Sequence, residues 1–147
     1  KEYRKYPQCI ICSRSHLIKT TGGKILPYNR WKKFENRREV SQEPSYSNFF
    51  TSGAGTLFPA EQLNEVVLKE KIFMNLAPTA DDVWLNFVAW ISGLMVVNIN
   101  SFIGDIIVNR EISDNGLQKE NVFEQKNDIQ IKKVLEYLQI KVEEFLP

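Results

Sequence analysis

The sequence predicts an α/β domain, a small mixed sheet with helices packed on it, and three stretches carry that prediction. "QCIICSRSHLI", residues 8–18, starts continuously apolar and ends alternating, as a strand does on entering a sheet covered on both faces. "LAPTADDVWLNFVAWISG", residues 76–93, sets apolar residues at steps of three and four behind a helix-start signal. Residues 128–145 repeat that spacing, with Ile131, Val134, Leu135, Leu138, Val142 and Phe145 on one face.

The remaining elements follow in chain order. Residues 1–6 read as the tail of a helix stopped by Pro7. "TTGGK" is a turn, and "ILPYNRWKKF" runs on as extended chain or a short helix. From Glu35 to Asn48 the chain is polar, with Pro44 and several serines, and reads as a loop. "NFFTSGAGTLFP" places two short apolar runs about a glycine-rich bend, and Pro59 opens a helix expected to reach Leu68. "KIFMNLAP" is expected to be a connection and short strand, followed by a helix from Ala80 to Leu94 capped by Thr79. "MVVNIN" is a strand signal, residues 100–124 are irregular with "DNG" as the clearest turn, and Asn127 or Asp128 caps the last helix. No internal repeat interrupts this order.

With 147 residues, 43% of them hydrophobic and 12% aromatic, the chain suffices for one domain with a real core, 1–147. "FVAWISGLMVV" is too short to span a bilayer and "FIGDIIV" carries a charge, so a soluble domain is expected. The opening "KEYRKYPQCIIC" has no initiator methionine and no signal-peptide core, and reads as cut from something longer, with an upstream portion missing.

The net charge of +1 hides a lopsided distribution. Residues 1–39 hold eleven Lys and Arg against three Glu, and the rest hold eight against fifteen acids. The basic end peaks at "RWKKFENRR", residues 30–38, which suits phosphates of a nucleotide donor, an anionic membrane leaflet or nucleic acid, and equally a solvated loop. Cys9 and Cys12 form a C-x-x-C with His16 nearby. A structural zinc site needs four ligands, and residues an odd number apart on a strand face opposite sides, so the cysteines are read as reduced, diverging core thiols. His16, the only histidine, is read as satisfying local hydrogen bonds.

Asp81 and Asp82 pose the sharpest question. Carboxylates in a first turn complement the helix dipole, stabilising it by about 0.3–1 kcal/mol each. One acid meets that need. Helical neighbours point roughly 100° apart, so the two acids cannot share one purpose. On the residues alone, capping or a surface ion pair is the favoured reading. In "TSGAGTLFP", Gly53 and Gly55 flank Ala54 and let main chain approach another group closely, while a bulge or tight turn explains them as well. Tyr28, Trp31 and Phe34 recur every three residues in the basic stretch, where flat rings suit sugar faces and Arg30, Lys32 and Lys33 suit phosphate. Core packing claims at least one of the three.

"GGKILPYNRWKK", "SGAGTLFP" and "PTADDVWLNFVAW", in that order after a strand ending in "SRSH", resemble the C-terminal half of bacterial family-two-like glycosyltransferases with the GT-A (nucleotide-diphospho-sugar transferase) fold, of the kind that assembles surface polysaccharides. "NDIQIKKVLEY" is similar to that family's closing helix. The resemblance covers nearly the whole chain and reverses the weighting of the acids. It implies a hexosyltransferase-like enzyme moving a sugar, with inversion, from a nucleotide-sugar donor to a saccharide or lipid-linked acceptor. In "DDVWL" Asp81 takes the first acidic place, Asp82 the place of the general base and Leu85 that of the family's leucine. Gly53, Ala54 and Gly55 would wall the donor sugar or acceptor, Trp31 would lie by the acceptor cleft, and Trp84 completes the substrate-binding set.

The same resemblance implies a divalent metal, Mn or Mg, in the full-length enzyme. The Asp-x-Asp motif that would hold it occurs nowhere in this sequence, so it is expected upstream of Lys1, in a nucleotide-binding half. This stretch alone is expected to bind no metal and to be inactive. A cytoplasmic location is implied, with peripheral contact at the inner face of the membrane, and no nucleic-acid partner. Two other readings stand beside it: a non-catalytic carbohydrate- or phosphate-binding module in which the aspartates only cap, and a partner domain that uses the last helix as an interface.

Overall fold

Four apolar residues in a row cannot alternate between core and solvent, so both faces of such a strand must be covered. Cys9–Cys12 form β1 in that way, all four buried, at the centre of a three-stranded sheet. The computed structural model describes residues 2–31, 43–99 and 126–146. Preceding β1, helix α1 spans Glu2–Lys5.

The chain does not continue as one strand to residue 18. It breaks at Ser13 and Arg14 and resumes as β2 (Ser15–Leu17), which pairs not with the first sheet but antiparallel with β5 (Asn48–Phe50). Between them β3 (Thr20–Thr21) and β4 (Lys24–Ile25) make a hairpin whose turn residues Gly22 and Gly23 both have positive φ, 54° and 72°, the conformation two-residue hairpins require. A 3-10 turn at Tyr28–Arg30 follows. The first sheet is completed by β6 (Thr56–Leu57), antiparallel to β1, and β7 (Met95–Asn98), parallel to it. Its mixed character is as expected.

Pairing of β1 with β7 sorts the core. Ile10, Cys12 and Val96 join Phe50, Ala89 and Leu94 on one face, while Cys9, Ile11 and Val97 cluster on the other. The thiols therefore diverge, and both are free. Burial pushes the Cys12 thiol up to about 12 and raises that of Cys9.

Helix α3 (Asp81–Ile91) runs between that sheet and the remaining helices, and seven of its eleven residues are buried. Val83, Phe87 and Val88 are fully enclosed with Phe49, Trp31, Ile131 and Val134. Trp90 packs edge-on against Phe87 at 5.0 Å and stacks on Phe145 at 5.1 Å between ring centroids. Each such side chain contributes about 1.5–3 kcal/mol by leaving water, which fixes α3 as the axis of the domain.

Several expectations are corrected. Thr79 does not cap α3. Ala80 occupies that position, and the Thr79 hydroxyl and amide both donate to Oε1 of Gln130, tying the helix entry to α4 (Lys126–Tyr137). The helix expected from Pro59 to Leu68 is two separate 3-10 turns, Ala60–Gln62 and Glu65–Leu68. Extended Leu63 parts them, and Asn64 begins the second by accepting the Val66 amide. The stretch read as a short strand is helix α2 (Glu70–Leu76), with Ile72, Phe73 and Leu76 turned toward the core; its spacing is helical, not alternating.

The last helix stops at Tyr137 rather than Phe145. Gln139 takes a positive φ of 54°, and the amides of Gln139 and Ile140 bond back to Glu136 and Leu135, the usual helix stop with glutamine where glycine is expected. Asp128 does not serve that helix but accepts the Tyr28 amide at 2.7 Å. The loop reading over residues 35–42, the irregular segment with "DNG", Phe34, and Lys32 and Lys33 lie outside the described residues. Among the described residues no helix is long and apolar enough to cross a membrane.

Candidate active site

The break in the first strand, the glycine bend and the start of α3 meet. The amide of Thr51 bonds to the carbonyl of Arg14 at 3.3 Å, and Arg14 Nε donates back to Thr51 Oγ1. The Ser13 hydroxyl donates to the carbonyl of Ala54, and the Ser13 amide to that of Gly55 at 3.3 Å. Residues Ser52–Ala54 form a 3-10 turn that Gly55 closes with φ 93°, a conformation a Cβ would strain. A Cβ at Gly53 would lie in ordinary contact, 3.6 Å, with a terminal guanidinium nitrogen of Arg14. The bend is thus pinned at both ends, with Gly53 and Gly55 exposed between.

Opposite it stand the aspartates, and they point apart as helix geometry requires. Asp81 is exposed and accepts the Ser52 hydroxyl at 3.3 Å. Asp82 is half-buried, with its carboxyl set deeper than the rest of the residue. Burial there, then the charge of Asp81, raises it from 3.8 to about 6, against the opposing pull of hydrogen bonds from the Val83 and Asp82 amides and of the Arg14 charge. Asp82 therefore lies within reach of the amides of its own first turn without being the N-cap, which is Ala80, and it does so as a carboxyl poised near neutrality. Tyr28 lies within electrostatic reach: burial and Asp82 hold its phenol well above the usual range, and Arg14 counters them.

One buried amide fixes the distance between helix and bend. Asn86, a single turn after Asp82, accepts the Phe50 amide at 3.1 Å and donates to the carbonyls of Phe50 at 2.9 Å and Asp82 at 2.8 Å. It ties the first turn of α3 to β5, the strand that runs into Thr51 and the bend.

Of the residues expected to form the site, the structure brings together Asp81, Asp82, Gly53, Ala54 and Gly55. It does not bring the tryptophans. Trp31, 3% exposed, packs on Tyr28 and Phe49 and donates its indole N–H to the Leu26 carbonyl, so it is a core residue and lines no cleft. Trp84, also 3% exposed, lies between Phe73 and Tyr137. Both are apolar positions of otherwise helical or turn segments, where packing competes successfully with ligand contact. Arg14, Ser52, Tyr28 and Asn86 were not assigned to the site from sequence. Two of them left a signal: Tyr28 as an aromatic in the basic stretch, and Asn86 as a polar residue in the middle of an apolar stripe.

Two hollows are described, and neither is lined by Asp81 or Asp82. The larger, about 650 Å³, lies between β4, the Tyr28–Arg30 turn and α4, with Ile25, Pro27, Ile131 and Leu135 in its walls and Lys24, Arg30 and Lys132 at its rim. The smaller, about 350 Å³, lies beside Tyr6, Val97 and Ile99. Among the described residues no three His, Cys, Asp or Glu converge as metal ligands, and the two aspartates diverge. The divalent metal that the resemblance implies is expected with an Asp-x-Asp motif, which these residues do not supply. Compared with models of protein families, with curated proteins and with solved structures, the chain matches none of them.

Proposed function

We propose that this chain is the acceptor-side half of an inverting glycosyltransferase, with Asp82 as its general base. The observation that carries the reading is the half-buried Asp82 carboxyl, raised to about 6, on the first turn of α3, where its neighbour Asp81 bonds to Ser52 of a bend that exposes two glycines. A base must be ionised at working pH yet basic enough to take a proton, and a carboxyl near 6 meets both needs better than one near 4. In the step proposed, the acceptor hydroxyl gives its proton to Asp82 as its oxygen bonds to the anomeric carbon. The bond from that carbon to the diphosphate breaks on the opposite face, and the electron pair leaves with the nucleoside diphosphate. Asp81, bound to Ser52, holds the bend near the helix and keeps Asp82 basic by its charge. The glycine bend offers a sugar close approach to main chain.

The test is Asp82→Asn in the full-length enzyme, read with a panel of nucleotide sugars. Loss of turnover with donor binding kept is expected, and unchanged turnover defeats the reading. The chain alone, lacking an Asp-x-Asp, is expected to transfer no sugar. A second reading, a carbohydrate- or phosphate-binding module, is favoured by one observation: the 650 Å³ groove, lined by Lys24, Arg30 and Lys132 against Asp128 and Glu136, lies apart from Asp81 and Asp82. Saccharide phosphates bound by the isolated chain with equal affinity in Asp82→Asn would support it.

A further inference from the structure

The strand break at Ser13 and Arg14 has a cost, since it interrupts the ladder between β1 and β2, and the fold uses it to aim one side chain. Arg14 leaves the strand at the point where the first sheet ends and the second begins. Its backbone carbonyl and its Nε both bond to Thr51, so chain and side chain are fixed to the same residue at the head of the bend. The far end of its guanidinium overlies Gly53. A two-point attachment of this kind gives a guanidinium one direction, where a surface arginine has many. Its charge acts on Asp82 and on Tyr28, two groups from different elements.

We propose that Arg14 is the positioning residue of this site: tied to Thr51 and lying across Gly53, it holds the glycine bend in register with the start of α3 and sets a positive charge against the carboxylates there. The inference rests on the reading of Asp82 as a base and adds to it a residue that governs the pH at which the base works. Among the described residues, the charged and titratable groups acting on Asp82 are Asp81 on its own helix, Tyr28 from the turn after β4, and Arg14. Asp81 opposes ionisation of Asp82 and Arg14 favours it. Without Arg14 the two acids repel unopposed, and Asp82 should hold its proton to higher pH.

The experiment is a carboxyl-carbon NMR titration of the isolated chain, the Asp82 resonance being assigned by its loss in Asp82→Asn. In Arg14→Gln the Asp82 midpoint should rise, by up to about one pH unit, the lower end of what an opposing charge within about 4–6 Å supplies. In Arg14→Lys, which keeps charge but loses the fork that grips Thr51, it should rise by less. Thr51→Val, which leaves the charge and removes its tether, should shift the midpoint in the same direction, and it serves as the reading if Arg14→Gln does not fold. A midpoint unmoved in folded Arg14→Gln, or in Thr51→Val where that is the reading, overturns the proposal. Because the titration needs no substrate, it stands or falls separately from sugar transfer. In an active enzyme the acid limb of kcat/KM would move alkaline by the same amount.

Discussion

The two ends of the Tyr28–Arg30 turn face opposite kinds of place. Toward α3 lies a polar cluster tied by hydrogen bonds between residues 29 to 37 positions apart in sequence: Arg14 to Thr51, Ser52 to Asp81 and Asn86 to Phe50. Toward α4 lies a groove of about 650 Å³ with aliphatic walls, where Lys24, Arg30 and Lys132 stand with Asp128 and Glu136. The first holds a carboxyl pushed toward neutrality, and the second holds open space. Volume measures what side chains leave unfilled. A reacting carboxyl needs instead neighbours that desolvate it and fix its direction. The proposed base therefore stands on the side of α3, and the groove is left to the alternative reading of binding.

The change that strains the comparison most is Asp82→Asn. In the transferase proposed above it should lower turnover by about 10²–10⁴-fold, the usual contribution of a positioned base. The wild-type rate should fall as pH drops through about 6, because the proton that then sits on Asp82 blocks its role. The same substitution should stabilise the fold. With the folded value near 6 and the unfolded one near 3.8, rising pH removes the proton from the unfolded chain first, so stability is lost between about pH 4 and 6 and stays lost above. Asparagine escapes that loss, by about 1–3 kcal/mol at pH 7–8 and by nothing below pH 3. Paired urea titrations at pH 3 and pH 8 measure it, and equal stability of the two proteins at both values would remove Asp82 from the set of strained groups.

Next in size is Asn86→Leu. It fills the space but leaves the amide and carbonyl of Phe50 without their buried partner, at about 1–3 kcal/mol for each group. Chemical denaturation should show a loss near 3 kcal/mol, and the Asp82 midpoint should drift as α3 and β5 lose their tie. A loss below 1 kcal/mol would mean that packing alone keeps the helix against the strand.

How far the sequence foretold this layout depends on the range of the forces involved. The mixed sheet, the buried α3, the hairpin at Gly22 and Gly23 and the divergence of Cys9 from Cys12 follow from local periodicity and turn chemistry, and all are legible. The stop at Gln139 is not, because a glutamine in the left-handed region is chosen by the backbone bonds around it and leaves no mark of its own. Thr79 and Asp128 look like caps, yet each is taken by a partner about fifty or a hundred positions away. The aspartates and the glycine bend could be named as a pair, while Arg14 could not, since its role exists only where two sheets part. Trp31 misled for the opposite reason: its local company was basic and aromatic, and tertiary packing enclosed it.

A smaller effect probes the bend. Gly55→Ala puts a Cβ on a residue with φ 93°, which should cost about 1–3 kcal/mol or force the turn to rearrange. Gly53→Ala, at ordinary contact distance from Arg14, should cost less. If thermal melts give the reverse order, the bend is held by Arg14 more than by its own backbone, and the polar side of the comparison becomes more dependent on that one side chain.

The smallest expected effect lies in the groove. Lys132 pairs with Glu136 at 3.9 Å with both side chains mostly exposed, a geometry that contributes between nothing and a few tenths of a kcal/mol. Lys132→Ala should therefore leave the melting temperature within about 1 °C of wild type, on the size scaling of such changes. Its value is as a probe of binding. If the groove takes an anionic saccharide, losing one of three rim cations should weaken a sugar phosphate measurably at low salt and hardly at all at high salt, where exposed charges are screened. Calorimetry with glucose 1-phosphate at two salt concentrations reads this directly. Binding that ignores Lys132, Lys24 and Arg30 alike would leave the groove as unfilled space between β4 and α4, and the whole chemistry of the domain on the side of Asp82.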